Sequence, residues 1–247
     1  MRVAVVVLTV ALLISPSAMQ AVHGQQATQS SPTPTRTTVS PSPIPAPVPS
    51  GHSLLKLMTK AITLRNAVRV NSRSLSTWKG HWILGVTWMD VGIQSNTLRE
   101  IDTWQRVRPN ASPLTITMET RELRVAHEMA ASRKPHHPWL CERLRGITVT
   151  DSLIAFQMKS ANVTTLGTAK AGGESVWHVR ASGAEVAAWS THSAIVDLYI
   201  SRTDDTLVRL TLTTVTRLGG VNVHEMVTES YSRYGEPVKV RLPTHCR

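Results

Sequence analysis

Apolar residues recur at every second position in short runs beyond Val68, whereas the stretch just before it repeats with a helical period. Leu54, Leu57, Met58, Ala61 and Ile62 form one helical stripe, Lys56, Lys60 and Arg65 lie on other faces, and Ser53 stands where an N-cap is expected. Leu114, Ile116 and Met118 alternate with Thr115 and Thr117, while Leu123, Val125, His127 and Met129 alternate with Arg124 and Glu128. The two runs are expected to pair as a hairpin. Ala194, Val196, Leu198 and Ile200 share one face, and a turn at Thr203-Asp204-Asp205 leads into Val208, Leu210 and Leu212. Gly219-Gly220 supplies the positive φ angles for a tight hairpin into Val221, Val223 and Val227, completing an antiparallel meander. Between these regions Thr150 or Asp151 caps a short helix carrying Leu153, Ile154, Phe156 and Met158, followed by strands at about 163–168 and 175–181. The Trp- and Gly-rich stretch 78–96 yields no assignment.

The N-terminus departs from this pattern. Met1 and Arg2 precede an apolar run from Val3 to Ile14, about the length of a signal-peptide core and too short for a membrane span. Residues 1–24 therefore read as a signal peptide cut after Gly24, a retained anchor being the alternative. Residues 25–51 are Gln, Ser, Thr and Pro with almost nothing large and apolar, a composition that stays disordered and, through its prolines, extended. Residues 52–247 remain as one domain, a sensible size for a single core.

Composition adds a compartment and a charge. Without residues 1–24, 26 basic residues face 16 acidic ones, a net charge of +10. Such a field attracts anionic membranes or cell-wall polymers, solubility alone being the alternative; nucleic acid is not an expected partner of an exported chain. Cys141 and Cys246 are the two cysteines, and export permits one disulfide between them, with unpaired buried thiols as the alternative.

No motif for chemistry is complete. His127-Glu128 and His224-Glu225 begin like a zinc-protease motif but lack the second His, and both sit in strand-like context. His136 and His137 lie between Pro135 and Pro138 in an expected loop near Cys141, a poor arrangement for a metal. With no serine elbow or phosphate-cradling loop, neither an enzyme nor a cofactor is expected, although a dispersed catalytic site leaves no such trace. Seven tryptophans against one Phe is an unusual balance; Trp78, Trp82 and Trp88 suit a ligand mouth or a membrane interface, the ordinary alternative being core.

One segment is distinctive as a whole. Ile195-Val196-Asp197-Leu198-Tyr199-Ile200, then a hairpin, then Tyr231-Ser232-Arg233-Tyr234-Gly235-Glu236-Pro237-Val238 and Leu242-Pro243 resemble the C-terminal third of LolA-like carriers, most narrowly the LppX/LprG type of bacterial envelope lipoprotein. The resemblance implies an α+β fold, a curled antiparallel β-sheet (half-barrel) with a few covering helices and an apolar cavity that holds acyl chains. It implies a lipid or other apolar ligand; the chain is expected to be a monomer and, from its N-terminal run, to work outside the cytoplasm. Positions 15–30 contain no Cys for the acylation such lipoproteins carry, so no lipid anchor is expected. The cavity lining is expected at Leu114, Ile116, Met118, Val196, Leu198, Ile200, Leu210 and Leu212, which are otherwise ordinary core. The alternative function is a non-carrier sensor or protein-interaction module on the same fold.

Overall fold

The computed structural model describes residues 47–79, 81–108, 115–144, 146, 148–153, 162–182, 193–218 and 220–246. The expected signal peptide, most of the linker, Leu114 and most of the expected mid-chain helix lie outside them. Helix α1 (Gly51–Leu64) precedes eleven strands: β1 (Ala67–Trp78), β2 (His81–Gly92), β3 (Thr97–Arg108), β4 (Thr115–Ala126), β5 (Met129–Arg133), β6 (Leu140–Arg143), β7 (Asn162–Ala171), β8 (Glu174–Ser182), β9 (Ser193–Ser201), β10 (Leu207–Leu218) and β11 (Val221–Ser232).

All eleven form one sheet in the order β6-β5-β4-β3-β2-β1-β11-β10-β9-β8-β7. Each of these pairings is antiparallel. Two meanders of sequence neighbours are thus stitched together by one long-range ladder, β1 to β11, in which Val70 faces Tyr231. The sheet curls without closing, so β6 and β7 remain as edges and the expected α+β half-barrel is what forms. The turns after β1, β3 and β10 lie at one rim, termed the upper rim; those after β2, β4, β7 and β9 lie at the lower rim.

The helix is close to the expected one, with its first turn displaced. Ser50, not Ser53, is the N-cap: its hydroxyl accepts the Ser53 N–H at 3.2 Å. Leu54, Leu55, Met58 and Ile62 are buried, while Leu57, placed on the stripe by sequence, is exposed. Ser50→Ala is expected to cost about 1 kcal/mol, read as a lower midpoint in thermal denaturation.

The expected hairpin between Leu114–Met118 and Leu123–Met129 does not form. Thr115 to Ala126 is one uninterrupted strand, paired with β3 from Thr115 to Val125. The apolar residues switch from even to odd positions between Met118 and Leu123, which in sequence imitates a turn; here the strand carries Met118 on one face and Leu123 and Val125 on the other. The reversal comes at His127-Glu128, both at positive φ (51° and 60°), between the paired residues Ala126 and Met129. That is the two-residue turn whose twist suits a hairpin, so these two residues are a turn and not strand. The unassigned Trp-rich stretch is β2 and its turns. The C-terminal meander forms as expected, with Leu218 facing Val221 and Gly220 at a positive φ of 81°, while Gly219 lies outside the described residues.

After β11 the chain crosses the outer, convex face as a strap. Gly235 N–H donates to the Ala67 carbonyl at 2.9 Å, Arg124 donates to the Arg241 carbonyl at 2.9 Å, and Cys246 is bonded to Cys141 on β6. The strap runs from β11 across the β1–β4 meander to the far edge of the sheet.

Candidate ligand-binding face

Strand register decides which side chains share the inner, concave face. Leu210 faces Leu198, Leu212 faces Val196, and Val179 and Ala181 lie beside them on β8. With Ile200 they form an aliphatic floor over β8, β9 and β10, in one cluster with Leu54, Met58 and Ile62 of α1. The helix lies close to this floor at its start, where a Cβ on Gly51 would come within 2.7 Å of the Val163 carbonyl oxygen, so only glycine fits.

Five of the eight expected lining residues, Val196, Leu198, Ile200, Leu210 and Leu212, are therefore gathered in one place, at 0 to 6% exposure, with α1 already packed on them. Met118 is elsewhere. It is 70% exposed on the convex face, because of the same switch in parity along β4. Ile116 pairs with Val107 in the same register, and Leu114 lies outside the described residues. Trp88 also belongs to the convex face, with the Arg69 and Arg99 guanidinium carbons 4.5 and 5.7 Å from its ring centroid, and so lines no mouth.

The other half of the concavity, over β11 and β1 to β4, is polar. Glu229, Ser72, Thr87, Asp102 and Arg121 face one another in turn across five adjacent strands and continue the row that begins at Val179, Leu198 and Leu210. Ser72, Asp102 and Glu229 are buried. Thr87 donates to one Asp102 oxygen at 2.8 Å; Arg121 bridges the other at 2.9 Å and Glu100 at 3.0 Å. Trp104 stands one step up the same face, 5.8 Å from the Arg121 guanidinium.

Burial, and then the adjacent Asp102 carboxylate, push the Glu100 carboxyl up to about 8 despite Arg121. Burial alone raises Glu229 to about 7, with the Tyr231 hydroxyl donating to its Oε2. Tyr231 is itself raised, by burial and by that neighbour. Protonated acids in the floor act as hydrogen-bond donors as well as acceptors. The concavity thus offers aliphatic surface on one side and hydroxyl, carboxyl and guanidinium groups on the other.

The polar row was missed in sequence, yet it had a signal. Ser72, Ser74 and Ser76 continue the parity of the apolar Val68 and Val70, and Glu100 and Asp102 continue that of Leu98. Polar residues in phase with a strand's apolar positions share the inward face. One further cluster, Cys141, His245 and Cys246, has donor atoms within 4.8 Å of one another. Both sulfurs are consumed by the disulfide, which leaves one imidazole and no metal site there.

No protein-family model matches the chain, and no curated protein matches it in sequence. Among solved structures it is similar to the lipoprotein LppX of Mycobacterium tuberculosis, at 18% identity and a TM-score of 0.44 over 77% of this chain and 97% of that one. It is similar to a LolA-superfamily protein of Nitrosomonas europaea, at 11% identity and a TM-score of 0.30 over 78% and 96%. The complex of MucA and MucB from Pseudomonas aeruginosa gives 11% identity and a TM-score of 0.37 over 76% and 59%.

Proposed function

We propose that this is an exported, monomeric protein, not an enzyme and not lipid-anchored, that binds or shuttles a lipid or similar acyl-chain ligand in the concavity of its half-barrel. One observation carries the reading: a single concave face joins an aliphatic floor to a polar row, which matches an amphiphile whose chain is buried and whose head is hydrogen-bonded. The Cys141–Cys246 bond supports an oxidising, extracytoplasmic setting.

In the described state α1 occupies the aliphatic half. The Thr59 and Thr63 hydroxyls bond to the helix's own carbonyls at Leu55 and Thr59, so these groups lose nothing when the helix lifts. An acyl chain entering there exchanges one apolar neighbour for another, at ~25 cal/mol per Å² of apolar area covered. Asn66, at a left-handed φ of 62° directly after the helix, is the joint about which α1 would turn.

The second reading, a sensor or protein-interaction module, is favoured by that same complete coverage of Val196, Leu198, Ile200 and Leu210. Organic extraction of the purified protein, with native mass spectrometry alongside, separates the two. One acyl lipid per chain is the expected result. Protein that is empty after purification and stays empty when mixed with lipid vesicles assigns it to the second reading.

A further inference from the structure

The two rims of the sheet differ in charge. Among the described residues at the upper rim, the outermost two positions of each strand hold no Asp or Glu, and the nearest acids lie one step further in, Glu142 on β6 and Glu225 opposite Ser76. Lys79, in the β1–β2 turn, and Arg106 and Arg217, at the ends of β3 and β10, are exposed there. The lower rim is mixed in sign, with Glu128, Glu174, Asp204 and Asp205 in or beside its turns.

Aromatic residues follow the cations. Trp78 faces His81 across the turn, their rings stacked with centroids 5.9 Å apart, and Trp82 is the next residue of β2. Both indoles are half-buried. An open cleft of about 810 Å³ joins the two turns, with Lys79 and Arg217 on its walls beside Val215, Val221 and Asn222. Cations at the outermost positions with the nearest acids set back, indoles at the boundary and an open cleft between basic side chains are the attributes of a surface that rests on acidic headgroups.

We infer that the upper rim is a docking surface for an anionic lipid membrane, on which the protein stands with its strand ends toward the headgroups. Lys79, Arg106 and Arg217 supply the attraction, and Trp78 and Trp82 enter the interfacial layer, where indole combines an apolar body with a hydrogen-bond donor. This docking involves the strand ends and not the aliphatic floor over β8, β9 and β10. It rests on rim chemistry alone and requires no cargo, so it is tested separately from the lipid content of the protein.

The test is sedimentation of the purified protein with vesicles of phosphatidylcholine alone or with about one third phosphatidylglycerol, with tryptophan fluorescence recorded in parallel. The expected result is binding to the acidic vesicles only, weakened by high salt and accompanied by a blue shift in emission. Lys79→Glu with Arg106→Glu and Arg217→Glu is expected to weaken binding about 100-fold, from the roughly fivefold that one basic residue contributes at such a surface. A control that makes the same charge change elsewhere, Arg143→Glu with Lys170→Glu and Lys239→Glu, is expected to retain well over half of the bound fraction. Equal binding to both kinds of vesicle, or none to either, overturns the inference. So does equal loss in the two triple variants, which would assign the effect to net charge, and so does binding to acidic vesicles without a blue shift, which would assign it to polyanion attraction without insertion. Circular dichroism and melting of each variant establish that it is folded before it is compared.

Discussion

The double variant Cys141→Ser with Cys246→Ser is expected to lose about 4 kcal/mol of stability and roughly 10 °C in melting temperature, a larger loss than any cap or surface substitution should cause. The bond closes a loop between residues 105 apart in sequence, and a chain tied at that separation loses much of its denatured-state freedom. The native state also depends on it locally. Beyond β11 the strap has no sheet partner and is held by separate attachments: Gly235 to Ala67, Arg124 to Arg241, and the disulfide at its far end. Losing the last should free the residues after Arg241 while leaving Gly235 in place. Urea titration of the variant and hydrogen exchange along the strap measure both parts. An unchanged midpoint would mean that the strap's non-covalent contacts carry the stability attributed to the covalent bond.

Much of this fold could be read from its sequence because most of it is local. Neighbouring strands joined by short turns announce themselves through alternation and turn residues, so β7 to β11 and the tight reversal from Leu218 to Val221 were legible. The disulfide was legible because only two cysteines exist to form it. Two kinds of information were not available. Alternation ranks residues only within one strand, so the parity switch between Met118 and Leu123 read equally well as a turn or as an unbroken strand changing faces. The composition of the inner face is set by register between remote strands, above all β1 with β11, where Ser72 meets Glu229. The aliphatic floor came from a single meander and was largely found. The polar row crosses the long-range ladder and was not, although the serines in phase with Val68 and Val70 marked where it passes.

That ladder also makes the protein's stability depend on pH in an unusual direction. Glu229 is 3% exposed, faces Ser72 on one side and Leu210 on the other, and has the Tyr231 hydroxyl as its hydrogen-bond donor. Its folded-state pKa of about 7 lies above the ordinary 4.5. Below pH 4.5 the carboxyl is protonated in both states and does not affect the balance. Between pH 4.5 and 7 the unfolded chain releases the proton while the folded chain keeps it, so stability falls as pH rises, by about 3 kcal/mol in all, and levels off above 7. Glu100, raised to about 8 beside Asp102, extends the same trend upward. Glu229→Gln keeps the shape and an acceptor for Tyr231 but cannot ionise. The variant is expected to match the wild type near pH 4.5 and to exceed it by about 3 kcal/mol at pH 8, a melting difference of roughly 5–10 °C that appears only on the alkaline side. Calorimetry of both proteins at these two pH values decides the matter: an equal difference at both would mean that the carboxyl is ionised in the fold throughout, and that the concave face holds a permanent negative charge in place of a neutral donor.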